Sequence, residues 1–428
     1  MTARGKILVV QVAALGWDLL KSCTESETIC GLSYYPLKPP FPAVTSTAQA
    51  TLRTAMTAAE HGIVSNGWLR RAESRADFWC QSAHLLPQNR IWESFRQRGR
   101  TVGTLFLQQS LGDPTVDVIL SPAPIHKHSG GIIQDCYSQP PELYDRIRKE
   151  LGRPFNLFRY WGPLASFKST QWIAEATEYV MKTAAFAPDL LFTYLPHMDY
   201  VLQKRGPNGG REVNQALADI KAVLAELIRV ADYTGYEVVL CSDYAIEEVG
   251  GAVFPNRLMA EAGLFRKRLV KGSEYPDLYA SPALAVCDHQ VAHIYLRDKS
   301  RGNSVRELFA DARGVDAVLE HGDMAHPNAG DLIIVSKPGT WFAYPWWNDQ
   351  TAAPDYASHV DIHNKIGFDP CELFLGSWLP PRISQNTDCV KGSHGRTDDS
   401  VFYATTLNWE KKPETFLEMT QLLRESLV

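Results

Sequence analysis

Four short apolar runs alternate with longer helical patterns, and that alternation leaves few architectures open. The runs Ile7–Ala13, Thr101–Leu107, Leu190–Tyr194 and Glu237–Cys241 have the length and continuity of strands buried on both faces. Between them, Gln171–Lys182 and Glu212–Thr234 carry helical periodicity. The pattern predicts an α/β fold: a doubly wound, mostly parallel sheet flanked by helices. Ligands of such sheets bind at the carboxyl ends of the strands.

The texture changes after about residue 250. Gln290–Arg297 and Asp331–Ser336 alternate polar and apolar residues, while Ser304–Ala312 reads as a helix. We expect a catalytic core over residues 1–249 and 331–428, with a small α+β subdomain inserted at 250–330. The aromatic, Pro-containing stretch Trp341–Trp347 reads either as a loop or lid near a pocket or as surface packing.

Charge and cysteine usage exclude several classes. The net charge is −5 with no basic stripe, so nucleic acid is not an expected partner. The eight cysteines are scattered without a C-x-x-C pair, which argues against a zinc ribbon and for reduced thiols in a cytoplasmic protein. Gln11 interrupts the first apolar run, which therefore reads as a buried strand rather than a signal peptide. No run of about 18 apolar residues occurs, so no membrane span is expected.

Polar residues of chemical interest follow the predicted strand ends. Thr45 and Thr47 lie between a Pro-bearing loop and the helical pattern Gln49–Ala59. A hydroxyl there is ordinarily a helix cap; read functionally, it is a nucleophile at a helix terminus that favours negative charge. Asp199 and Gln203 follow Leu190–Tyr194, and Asp243 follows Glu237–Cys241. His394 and Arg396 stand in Val390–Arg396. The segment His359–Lys365 places His359, Asp361 and His363 at alternating positions, which face one side if the segment is extended. Asp288–His293 offers His289 and His293 in the same way.

Read in order, these motifs resemble the nucleotide pyrophosphatase/phosphodiesterase branch of the alkaline phosphatase superfamily. Asp199, Gln203 and Gly206-Pro207 resemble its Asp-x3-His-x2-Gly-Pro segment. Thr45 with His61-Gly62-Ile63 and Asn66 is similar to its nucleophile segment. Ser242-Asp243-Tyr244-Ala245 resembles its Ser-Asp-His-Gly, and Gly392–Gly395 its last His motif. The resemblance implies Thr45 as nucleophile and Asn66 as a donor to a phosphate oxygen, with His61 structural. It also implies Asp199, Asp243 and His394 as ligands of a divalent metal, zinc, as one or two ions. Three positions depart: Ala13 stands for an Asp ligand, and Gln203 and Tyr244 for His ligands. Gln203 would then be a weak oxygen ligand. Asp361 or His363 would rebuild the site, with His289, His293 and Asp18 as further candidates. Similar Val-Asp-Ile-His and Asp-His-Gln-Val-Ala-His motifs mark a bacterial subgroup of the superfamily.

The leading expectation is a metal-dependent hydrolase of a phosphate ester, phosphodiester or pyrophosphate. Arg396 would clamp a phosphate or carboxylate. His197, Tyr200 and Lys204 are further candidate substrate contacts, each more readily read as structural. The partner expected is a phosphorylated small molecule, with self-association left open. One alternative keeps the fold and uses a reduced metal site for a non-hydrolytic or non-phosphate step. Another is a binding protein without catalysis.

Overall fold

The computed structural model describes residues 5–22 and 28–428, and the Asp323 side chain is not described. Cys23 lies outside the described residues; the other seven cysteines are free thiols.

A nine-stranded sheet forms the centre. Its middle runs parallel: Val118–Pro122, Val102–Leu105, Leu190–Leu195, Lys6–Val12 and Tyr236–Ser242 are neighbours in that order. Antiparallel strands flank both sides, Cys136–Gln139 at one edge and Val401–Thr405, Leu32–Leu37 and Thr28–Ile29 at the other. The central strands are continuous apolar runs because helices cover both faces. The helices Phe167–Lys182 and Arg211–Thr234 pack together and against the sheet. The expected α/β architecture is therefore the observed one.

Register brings the site together. Val12 pairs with Leu195 on one side and with Ser242 on the other. The three parallel strands thus end level, and Ala13, His197 and Asp243 all emerge at one carboxyl edge. Val401–Thr405 runs the opposite way beside Tyr236–Ser242. It enters the sheet from that same edge, which carries the preceding His394 there too.

A second sheet is antiparallel, in the order Ala283–Asp288, Val291–Leu296, Leu332–Ser336, Val315–Glu320. Its third strand comes from beyond residue 330. In the stretch Trp341–Trp347, residues 343–347 have no regular structure, and Ala343, Tyr344, Pro345 and Trp347 line a cavity, as expected of a loop near a pocket. The stretch is not surface packing: Trp341, Phe342, Tyr344, Trp346 and Trp347 are buried in two apolar clusters. Thr340–Phe342 runs as a short strand beside Gly251–Val253. Burial of this much aromatic area is a core function, and the local sequence has no periodicity that would have shown it.

Among the described residues, no helix is long and apolar enough to cross a membrane.

Candidate active site

Thr45 is the first residue of the helix Thr45–Thr54, and Val44 is the N-cap without a side-chain bond. Thr45 therefore does not cap its helix. Its hydroxyl donates to the Tyr244 phenol at 3.4 Å. The phenol donates in turn to Asp199 Oδ1 at 3.0 Å. All three side chains are buried, Thr45 at 5% exposure and Asp199 at 6%. The positive end of the helix dipole faces this cluster.

Asp199 lies in the first turn of the helix His197–Arg205, and Gln203 lies one turn on. Residues four apart share a helix face, and Gln203 Nε2 donates to both Asp199 oxygens at 2.8 Å. Burial pushes the Asp199 carboxyl up, while the Gln203 and Tyr244 hydrogen bonds pull it back. Asp243 is equally enclosed. Gln11 Nε2 donates to one oxygen at 2.8 Å, and the Ala14 and Tyr244 amides donate to the other at 3.1 and 3.0 Å. Burial nevertheless raises the Asp243 carboxyl to about 7. Ala14 holds its amide in place from a left-handed conformation, φ 61°. That costs a residue with a Cβ on the order of 1 kcal/mol.

His394 donates from Nδ1 to the Ala43 carbonyl at 2.7 Å, because a carbonyl can only accept. Its Nε2 is left with the lone pair. Burial keeps this ring neutral by lowering its pKa well below the usual histidine range. The Tyr244 ring stacks on it at 3.6 Å, and His289 lies on it at 3.7 Å. His289 pairs through Nδ1 with Asp288 at 2.7 Å, and its buried Nε2 has no partner. Phe368 covers the outer face of His289 at 3.9 Å. Lys365, buried between Asp369 and Glu372 at 2.7 and 2.6 Å, pins the segment that carries Phe368.

Several expected residues serve elsewhere. Asn66 accepts from the Ser46 amide through Oδ1 and donates to Asp288 through Nδ2. It joins the start of the Thr45 helix to the Asp288–His289 pair. Arg396 is engaged by the Asp316 and Asp398 carboxylates and the Ser336 carbonyl, so it is a tie between segments rather than a clamp. Residues 359–365 form a turn, not an extended strand. Asp361 accepts the His363 and Asn364 amides in that turn, and exposed His363 faces His126 at 5.9 Å. The alternating pattern therefore does not put the three side chains on one face. His293 donates to the Val64 carbonyl and accepts from the Gly330 amide, a fully satisfied linker. Asp18 is exposed in the short helix Trp17–Ser22. Buried His61 accepts from the Ile63 amide and meets Thr51. His197 packs on Phe167, and Tyr200 packs near Trp161.

Gln11, Tyr194 and the Asp288–His289 pairing carry weight that the sequence reading did not give them. Gln11 and Tyr194 are register partners on the two neighbouring strands. The available signal was a polar side chain in an otherwise apolar buried strand.

The residues present do not fit a two-metal site. Zinc takes imidazole, thiolate or carboxylate. Here an alanine, an amide and a phenol stand where the resemblance puts strong ligands, and both carboxylates are already surrounded by donors. Among the described residues, no three His, Cys, Asp or Glu side chains are grouped to hold a metal ion.

Residues 9–369 match the profile of the family described as type I phosphodiesterase / nucleotide pyrophosphatase. Phosphonoacetate hydrolase from Sinorhizobium meliloti 1021, solved with phosphonoformate, has a similar fold. It is 16% identical with a TM-score of 0.64, over 99% of this chain and 96% of that one. Murine ectonucleotide pyrophosphatase/phosphodiesterase 5 is 13% identical with a TM-score of 0.61, over 99% and 95%. An inactive form of that murine protein, solved with AMP, is 14% identical with a TM-score of 0.60, over 99% and 95%. No curated protein matches the sequence.

Proposed function

The chain belongs to the type I phosphodiesterase / nucleotide pyrophosphatase family, and on that footing we propose that it hydrolyses a phosphorylated small molecule with Thr45 as nucleophile. The class of substrate is a phosphate ester, phosphodiester or pyrophosphate. The observation that carries this reading is the chain of hydrogen bonds from Thr45 through Tyr244 to Asp199.

A threonine hydroxyl is a weak nucleophile until a base takes its proton. In this reading Thr45 Oγ1 attacks phosphorus and the leaving-group oxygen departs with its electron pair. The Thr45 proton passes to the Tyr244 oxygen as the Tyr244 proton passes to Asp199. Tyr244 ends neutral and Asp199 ends protonated. Water then attacks the phosphothreonine, and the relay returns a proton to the Thr45 oxygen as phosphate leaves. The helix terminus at Thr45 favours the charge that builds on the phosphoryl oxygens. Unpartnered His289 Nε2, oriented by Asp288, is the group left to meet substrate or the entering water. No step is routed through a metal, because the donor set does not fit one.

The test is a panel of monoesters, diesters and pyrophosphates, quenched in acid and examined by peptide mass spectrometry. The expected result is the transferred phosphoryl group on Thr45, bare from a monoester and still carrying its remaining ester from a diester, and its loss in Thr45→Ala together with turnover. Turnover of the best substrate by Thr45→Ala at the wild-type rate rejects the assignment.

A further inference from the structure

We propose that this site works without a resident metal pair, and that the Tyr244 hydroxyl and the Gln203 amide hold Asp199 as metal ions would otherwise do. The inference concerns how the carboxylates are held, and it stands whether or not Thr45 is the nucleophile.

Three observations carry it. First, each Asp199 oxygen already has a donor: Gln203 Nε2 is 2.8 Å from both, and Tyr244 adds a bond at 3.0 Å to Oδ1. A metal ion would have to displace these groups. Second, the Asp243 oxygens are surrounded by the Gln11 amide and two main-chain N–H groups. The two main-chain donors are fixed by the backbone at Ala14 and Tyr244. Third, the Tyr244 ring lies parallel to His394, at 8° and 3.6 Å, with its hydroxyl between Thr45 and Asp199. The phenol thus fills the space between nucleophile and carboxylate. A buried carboxylate needs compensation from charge or hydrogen bonds, and here neutral donors provide it.

Two of the three departures, Gln203 and Tyr244, then form one coherent pair. Removing strong ligands alone would leave Asp199 buried without partners, whereas Asp243 keeps the Gln11 amide and two main-chain donors. Gln203 and Tyr244 instead supply donors of the right sign to Asp199.

Elemental analysis of protein purified without chelator tests this directly, with thermal unfolding measured with zinc and with EDTA. Far less than one zinc, manganese or magnesium per wild-type chain is expected, and neither addition should move the melting point. The double variant Gln203→His/Tyr244→His should gain zinc and melt higher when zinc is added. One or more metals per wild-type chain surviving dialysis, with a melting point that falls in EDTA, would overturn the proposal. A folded double variant that takes no zinc would also count against it, since these two side chains would then not be what keeps metal out. If the double variant does not fold, the wild-type metal content still decides. None of these readouts depends on Thr45, so failure here is distinct from failure of the nucleophile assignment.

Discussion

Thr45 and Tyr244 face each other across 3.4 Å, with the threonine donating and the phenol passing its own proton toward Asp199. The two residues are far apart in sequence and belong to different strand ends. Removing only the phenol oxygen isolates this contact. Tyr244→Phe keeps the ring stacked on His394, so the fold should hold. Its kcat should fall by about 10²–10⁴-fold, the usual worth of acid–base assistance. An unchanged kcat with a folded variant would remove Tyr244 from the relay.

Gln203 both orients Asp199 and favours its charged form. Gln203→Leu leaves a buried carboxylate with one donor fewer, at a cost of about 1–3 kcal/mol. The Asp199 carboxyl should then rise further. Asp199 must be ionised to accept a proton, so the acid limb of kcat should move to higher pH. A stability loss without movement of that limb would mean that Gln203 is only a packing residue.

Asp243 gives a pH signature in stability. Its carboxyl stands near 7 in the fold against 3.8 ordinarily. The folded state therefore holds a proton that the unfolded state has released, and stability falls as pH rises from about 4 to about 7. Asp243→Asn removes this dependence. Gln11 can accommodate the change, because its Oε1 is buried without a partner and an amide flip would present it to the new NH₂ group. The stability advantage of the variant should grow between about pH 4 and 7, level off above, and reach a few kcal/mol at most. The difference between the two proteins is the quantity to measure by chemical unfolding. Neutral buried histidines such as His61 and His394 act in the opposite sense, losing stability as pH falls, and they cancel in that difference. A difference that does not vary with pH would refute the elevated Asp243.

Arg396 separates structure from substrate binding. Its guanidinium ties Asp316, Asp398 and the Ser336 carbonyl together. Arg396→Ala should lower stability by about 1–3 kcal/mol and leave KM unchanged. A KM that rises with stability preserved would restore Arg396 as a substrate clamp.

Much of the fold was legible because it depends on local pattern. The buried runs of the central strands and the long helix Arg211–Thr234 follow from apolar periodicity alone. The aromatic stretch Trp341–Trp347 defeated that reading because burial there comes from distant partners, not from any repeat. The turn at 359–365 defeated it for another reason. Asp361 closes a local turn through its carboxylate, a competing use of a polar side chain that spacing does not reveal.

For the site, the order of motifs was enough to single out Thr45, Asp199, Gln203, Asp243 and His394 and to place them at strand ends. Tertiary structure decided what they touch. The family resemblance marked Tyr244 as a lost ligand and Gln203 as a weak oxygen ligand. The register of three strands and the entry of Val401–Thr405 from the same edge made them hydrogen-bond donors to Asp199. Strand composition is a one-dimensional property set by burial, whereas the partner of a buried carboxylate depends on which strand ends meet, and only the folded chain fixes that.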